Sequence, residues 1–478
     1  MNNAGFLDSL ADLTKECQDI TKQQFAGSTG TVSLFFQAEL VDVSRIREYF
    51  MPELVRCLDV NSSGLDDLLK ENAAECLQGP GRTIEACASQ LFGGKLLLYV
   101  EEIDRVYSMN FARKPQRSPE DSALEPSIRG ARDGFVEELE TNIALIRKRL
   151  ATADLRVAYY ESRGSTRTRL ALLYYKDRVP ASALALVRKR LESLGKTTLV
   201  GGMSRLEEAL SGNRYSLVPT SNFTGKPDYA AERLVRGKFL VLMEGSPTAM
   251  IAPITLTELF ISPEDSYFSY HAAITNRFFR IIGAFTTIFL PGLYVALLMY
   301  NQDQIPFQLL ATVGMSRIGL PISAFFEMLL SLLLLDLLRE AGARLPRATG
   351  STITMVGGII IGDAALRAGL LSPSVTFLAA ISIVSGSTLV NLNLQSTTRI
   401  FRLFVLFLSA TVGIYGTIMA MLYMLVYAIN VNSFGQMYFP YVKFSRKDSL
   451  LKFFRLPFRK KEVDVVKTIP FTKSEDGT

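Results

Sequence analysis

Apolar and polar positions are distributed differently in the two halves of this chain. Up to about residue 270 the apolar runs are short and periodic; beyond it they lengthen and lose their charges. No charged residue lies between Ile281 and Met299, and only Glu327 between Ile318 and Leu335. A bilayer core about 30 Å thick needs about 20 apolar residues of helix, and both stretches approach that length. Three more follow. Ile353–Leu371 is short, holds four glycines and contains Asp363 and Arg367. Val375–Leu394 ends in Asn391 and Asn393, and Leu403–Val431 is long and uncharged. Several such stretches in series favour a membrane bundle over the buried helices of a soluble core. We expect an α-helical transmembrane bundle of four spans plus one interrupted or re-entrant segment, Ile353–Leu371.

Ahead of the bundle the periods are those of a mixed α/β half. Thr31–Leu40 is strand-like and Val43–Leu54 has helical spacing. Asp154–Tyr160 and Thr168–Lys176 look like paired strands, and Ala181–Leu194 like a helix. A Gly-Lys pair, an apolar strand and an acidic turn occur twice, at Gly94–Met109 and Gly237–Ala252. The repeated order predicts two small, similar α/β lobes. Between them Arg132–Leu150 places Phe135, Leu139, Ile143, Ile146 and Leu150 at helical period, with acids at its start and bases at its end as the helix dipole favours. It reads as a long linking helix with a buried stripe of Phe135, Leu139 and Ile143; its Arg147–Arg149 end is expected to be solvated, with a membrane-surface contact as the alternative. The expected divisions are a first lobe at 1–125, the linking helix at 126–152, a second lobe at 153–262, a membrane domain at 263–440 and a basic tail at 441–478.

Composition adds topology. Overall, 21% of residues are charged and 48% hydrophobic, a globular average that conceals the split. The first 20 residues are amphipathic and acidic, without the basic and apolar regions of a signal peptide, so the N-terminal half is expected to stay cytosolic. Arg277 and Arg280, just before the first span, agree with that under the positive-inside rule. Most of the net charge of +6 lies in the tail, which faces anionic lipid on the same side; it does not call for nucleic acid. Arg399 and Arg402 fall on the outer side in this topology and oppose it. Cys17, Cys57, Cys76 and Cys87 have no metal-type spacing and read as reduced structural thiols.

Catalytic signatures are poor. The one histidine, His271, precedes the membrane and has no cysteine, acid or zinc-ligand arrangement around it in sequence. Gly93-Gly94-Lys95 follows a helix and enters a strand, the reverse of a phosphate-binding loop. The chain therefore reads as a non-enzyme without cofactor or metal. The informative residues are Glu327, Asp336, Asp363 and Arg367, because charges at membrane depth turn toward water, a partner or the bundle interior. Asp363 and Arg367 can pair along one helix face. Glu327 and Asp336 face opposite sides of one helix, so one of them needs a neighbouring helix or a second subunit. The alternatives are a polar wall along a conduction path and ion pairs that staple the bundle. Gly357, Gly358 and Gly362 suit close helix packing or an interrupted helix at a site.

These residues carry a resemblance. Ser127–Leu150, Lys226–Pro253, Ser262–Gly283, Leu337–Pro346 and Val356–Pro373 lie in the order and near the spacing of the A subunit of the GerA-type spore germination receptors, which the chain resembles over nearly its whole length. Departures include Ala131 for a proline, Asp133 for a glutamate, Glu244 in the acidic turn, Leu332 for an acid, Asp363 for a glutamine, and Gly386–Leu389 for a proline break. The resemblance implies a germinant receptor subunit, or its sporulation-stage paralogue, in the spore inner membrane. It further implies a ligand-gated ion channel component in a pentameric ring, with a transporter-like B subunit and a lipoprotein C subunit. A secondary transporter and a non-conducting scaffold are the competing readings.

Overall fold

A computed structural model of the chain describes residues 17–27, 30–60, 62–77, 83–112, 132–163, 167–196, 202–212, 216–345 and 347–439. The start of the chain, the Arg113–Pro126 connector and the basic tail lie outside them.

Two five-stranded antiparallel sheets dominate the first half, and they share one topology. The first comprises β1 (Thr21–Gly27), β2 (Gly30–Phe36), β3 (Glu75–Leu77), β4 (Lys95–Val100) and β5 (Arg105–Asn110) in the order β1-β2-β4-β5-β3. The second comprises β6 (Leu155–Arg163), β7 (Arg167–Tyr175), β8 (Asn222–Thr224), β9 (Phe239–Met243) and β10 (Ala249–Ala252) in the order β6-β7-β9-β10-β8. The repeated Gly-Lys block becomes the hairpin β4–β5 in one sheet and β9–β10 in the other.

Alternation explains why the central strands look continuously apolar: both faces are covered. Val32, Leu34, Leu96 and Leu98 pack on one side with Leu54 and Leu58 of α1 (Met51–Val60) and Leu68 and Leu69 of α2 (Ser62–Glu71). Phe35, Leu97 and Tyr99 pack on the other with Cys87, Leu91 and Phe92 of α3 (Ile84–Phe92). The second sheet repeats this arrangement. Ala171, Leu240 and Leu242 meet Leu139, Ile143 and Ile146 of α4 (Leu139–Arg149) and Leu234 of α7 (Pro227–Val235). Leu172 and Val241 meet Val187 of α5 (Ala181–Ser193) and Leu206 of α6 (Met203–Ser211).

The linking helix is shorter than its periodicity suggests. It begins at Leu139 because Asn142 holds the preceding backbone extended, its amide accepting from Val136 N at 2.8 Å and donating to Val136 O at 2.6 Å. Phe135, Leu139 and Ile143 are buried as expected. Arg147 is not solvated. It is fully buried, bonding Asp19 at 2.8 and 3.0 Å and Thr152 O at 3.0 Å, with Phe92 stacked 3.8 Å below. Gln37 adds a hydrogen bond to Asp19, and Gln18 N bonds Val157 O of β6. Residues 17–20 thereby lace the two sheets together around one ion pair.

Glu39 sits in the same region, its carboxyl pushed from 4.5 up to about 7 by burial and by neighbouring Asp19 and Glu140, against its own backbone N–H and Arg147. The folded state therefore binds the extra proton between those values, and stability falls as pH rises from 4.5 through 7. Glu39→Gln is expected to remove this loss, worth up to ~3 kcal/mol at 1.36 kcal/mol per unit. Chemical denaturation of wild type and variant from pH 4.5 to 8 reads it; parallel profiles would refute it.

The second half is helical: α8 (Tyr270–Met299), α9 (Phe307–Ser316), α10 (Ala324–Arg344), α11 (Arg347–Arg367), α12 (Pro373–Gly386), α13 (Leu392–Val412) and α14 (Ile414–Asn430). Three differences from the sequence reading matter. Ile353–Leu371, expected as an interrupted or re-entrant segment, lies for the most part in α11, which runs unbroken from Arg347 to Arg367. An additional short helix, α9, lies between the first two expected spans. The last long stretch is two helices, because Gly413 at φ 71° turns the chain back. Among the described residues and apart from α9, six helices run alternately away from the second sheet and back toward it, so α14 ends beside that sheet. There β11 (Asn432–Ser433) and β12 (Gln436–Met437) form a hairpin that inserts Phe434 against Phe239 and bonds Ser433 Oγ to Thr220 O and Ile254 N. Among the described residues, α8 is the one helix long and apolar enough to cross a membrane; α9, α12 and α14 are apolar but shorter.

Close approach at the α13–α14 turn depends on Gly416, where a Cβ would overlap Leu408 O and stand 2.7 Å from its carbonyl carbon. Gly416→Ala is expected to cost ~1–3 kcal/mol by overpacking. At Gly357 a Cβ meets nothing within 4 Å, so alanine there should be neutral or stabilising by about 1 kcal/mol. Thermal melts of the two variants in detergent should diverge; equal melts would contradict the packing described.

Candidate functional site

The deep charges of the helical half sort into sealed and open ones. Glu327, in the first turn of α10, is fully buried. It accepts from Ser372 N at the start of α12 and faces Arg317 Nε at 3.4 Å. Ser372 itself caps α12, its hydroxyl accepting from Val375 N, and Tyr294 of α8 bonds the neighbouring Ser374 at 3.0 Å. One carboxylate thus ties α10 to α12 beside α8. Asp336, two and a half turns on, pairs with Arg402 of α13 at 2.5 Å. Nearby Arg339 bonds Gln395. The opposite sides of α10 are therefore served by two neighbouring helices of the same chain, and neither acid needs a second subunit for its partner. Arg402 is 1% exposed, and its charge belongs to a buried pair with Asp336.

Asp363 and Arg367 differ. They pair at 2.8 Å along α11, as their spacing predicts, and remain exposed. Met355, Val356, Ile359 and Ile360 of the same helix are exposed too. Gly357 and Gly362 have no neighbour within 4 Å of an added Cβ, and Gly358 has only Leu338 Cδ1 at 3.8 Å. Among the described residues, nothing packs closely against these glycines.

A second polar centre joins the sheet half to the helices. Asp265, capped into a tight turn with Ser262, receives Arg277 Nε and Arg280 Nη1, each at 2.9 Å, and all three side chains are buried. Arg280 also bonds Phe260 O. Beside this clamp Glu258 bonds Lys238 at 2.9 Å. Burial works to raise its pKa, but Lys238 and Arg233 prevail and hold it below the ordinary carboxylate range. Arg277 and Arg280 were legible as a basic pair before the first span; their partner Asp265, twelve residues away, was not. Arg317 and Ser372 were likewise missed, although an arginine bordering an apolar run containing one acid was a usable signal.

His271 stands at the start of α8 against the Tyr270 ring. Among the described residues no group of three or more His, Cys, Asp or Glu converges as metal ligands would. The arrangement fixes helices to one another and to the second sheet while leaving one charged helix face open.

Comparison with known proteins agrees with the sequence resemblance. The family model described as Bacillus/Clostridium GerA spore germination protein matches residues 8–464. Spore germination protein XA of Bacillus anthracis is 38% identical over 93% of this chain and 89% of its own length. Spore germination protein A1 of Bacillus subtilis is 29% identical over 94% and 93%. The crystal structure of the N-terminal domain of the A subunit of the Bacillus megaterium spore germinant receptor GerK3 is 21% identical, covering 52% of this chain and 92% of that one, at a TM-score of 0.38.

Proposed function

The chain belongs to the Bacillus/Clostridium GerA spore germination protein family, and from that premise we propose that it is a non-catalytic, membrane-embedded subunit of a germinant receptor that passes ions when the receptor is engaged. It sits in the spore inner membrane with its sheets and tail on the cytosolic side, and the even number of helical passes supports that placement. Copies assemble as a ring, a pentamer, together with a transporter-like subunit and a lipoprotein.

The observation that carries this reading is α11. It presents an apolar, glycine-bearing face and an exposed Asp363–Arg367 pair that nothing among the described residues covers. Apolar surface of that extent seeks lipid or another copy, while the charges at its end require water. A ring satisfies both by packing the glycines between copies and turning Asp363 and Arg367 toward an aqueous path. Glu327 and Asp336 then act as staples, the alternative role considered from sequence.

Reconstitution with its partner subunits and recording of germinant-dependent current tests this. Asp363→Lys is expected to shift selectivity away from cations and to lower cation current at least about tenfold, since a like charge beside the path repels cations. Asp336→Asn should lower folded yield while leaving the selectivity of the protein that assembles unchanged. Selectivity untouched by Asp363→Lys would overturn the assignment, and saturable uptake by the chain alone would favour a transporter.

A further inference from the structure

The seam between the second sheet and the helices contains a cavity of about 210 Å³. Its walls come from three places. Met203 and Ser204 open α6, and Asn222, Phe223 and Thr248 lie at the β8–β10 edge of the sheet. Leu259, Ile261 and Pro263 line the approach to α8, and Val390–Asn393 form the link from α12 into α13. Every polar side chain in the lining is a carboxamide or a hydroxyl, and no charged side chain lines it.

Some of these groups are already used. Asn391 donates to Asn222 Oδ1 at 2.6 Å and accepts from Leu394 N at 2.9 Å, so it serves both as the bridge between the halves and as the cap of α13. The Thr248 hydroxyl shares a hydrogen bond with Ser246 at 2.9 Å. Among the described residues the Ser204 hydroxyl and the Asn393 carboxamide take no partner. Ser204 belongs to the sheet half, where it is open to solvent, and Asn393, half-buried, to the helical half; Phe223, Leu259 and Leu392 add apolar surface to the lining.

We infer that this cavity binds a small, uncharged molecule bearing an amide or hydroxyl group on a short apolar body. No charged side chain in the lining offers an ion an opposite charge, which favours uncharged molecules over carboxylates, ammonium groups and phosphates at this partly open site. The space holds about seven waters at about 30 Å³ each, which sets the upper size at a molecule of roughly that many heavy atoms. An occupant touching both Ser204 and Asn393 spans the seam and favours conformations in which sheet and α12–α13 link stay apposed, since a ligand shifts a conformational equilibrium by its differential affinity. This site is independent of the conduction proposed above, and its test needs no current.

The test uses the full chain in lipid nanodiscs, with empty nanodiscs subtracted, and butyramide as the probe. Butyrate and butylammonium are its charged counterparts, and binding is read by saturation-transfer NMR. Butyramide is expected to give saturable transfer at millimolar concentration, with both ions weaker by about tenfold or more. Asn393→Leu removes one polar contact, and Leu392→Trp fills the mouth from an exposed position; each should reduce the transfer by a similar factor. Circular dichroism and elution volume matching wild type establish that both variants fold. Absence of saturable transfer, equal binding of the ions, or transfer unchanged in both folded variants would each overturn the inference.

Discussion

Replacing Arg147 with methionine is expected to destabilise the N-terminal half by ~3–5 kcal/mol, because Asp19 is left ionised and buried without its partner. Burial by itself disfavours the charged guanidinium, yet Asp19 beside it holds the arginine's pKa above the ordinary value. The pair joins residues near the start of the chain to a helix 128 positions later, so its loss should release the first sheet from the second. Native-state proteolysis and thermal melting of the full chain check this. Asp19→Leu combined with Arg147→Met removes both charges, and such double replacements are often neutral or stabilising. The double variant should therefore recover much of the lost stability. Failure of the single variant to lower the melting temperature would mean that the sheets are held by other contacts.

Asp265→Ala is the counterpart at the other seam. It strands two arginines at once, Arg277 and Arg280, both under 10% exposed. The expected cost is again about 3–5 kcal/mol, borne where the sheet half meets α8. Asp265→Glu keeps the charge on a longer arm and should retain part of the stability. In nanodiscs the alanine variant is expected to become sensitive to protease between residues 253 and 269, where the chain passes from β10 to α8. Cleavage at the wild-type rate would show that the clamp is dispensable. Neither result touches the conduction proposal, which rests on α11, so the tests fail separately.

Much of the fold was legible because it follows from local pattern. The paired strands β6 and β7, the helix from Ala181, the twice-used Gly-Lys hairpin and the stripe Phe135–Leu139–Ile143 all follow from period and turn chemistry. Short edge strands such as β3 and β8, three residues each, carry no comparable signal and exist only because a neighbour supplies hydrogen bonds. β1 is half exposed and opens with four polar residues in a row, Thr21 to Gln24, and its pairing with β2 decides it. The end of the helix at Leu139 was hidden for a similar reason: Asn142 acts through its side chain on backbone six residues earlier.

The charges show the same division more sharply. Sequence identified Glu327, Asp336, Asp363 and Arg367 as residues that lipid alone would not accommodate, and spacing along one helix paired Asp363 with Arg367. It could not assign Arg402 to Asp336 or Arg317 to Glu327, because those partners are brought together by helices crossing in space. Nor could it separate a solvated Arg147 from a buried one, since charge and periodicity are the same in both cases.

What the sequence determined by itself is therefore the set of elements governed by neighbours in the chain: strand and helix periods, the repeated lobe pattern, the family, and the apolar character of the second half. The tertiary structure decided which charges are neutralised within the chain and which stay open. It also decided where a long apolar stretch folds back at Gly413. The physical reason is range. Backbone propensity and amphipathic period act over a few residues, whereas the free energy of a charge depends on desolvation and on partners that only packing can deliver.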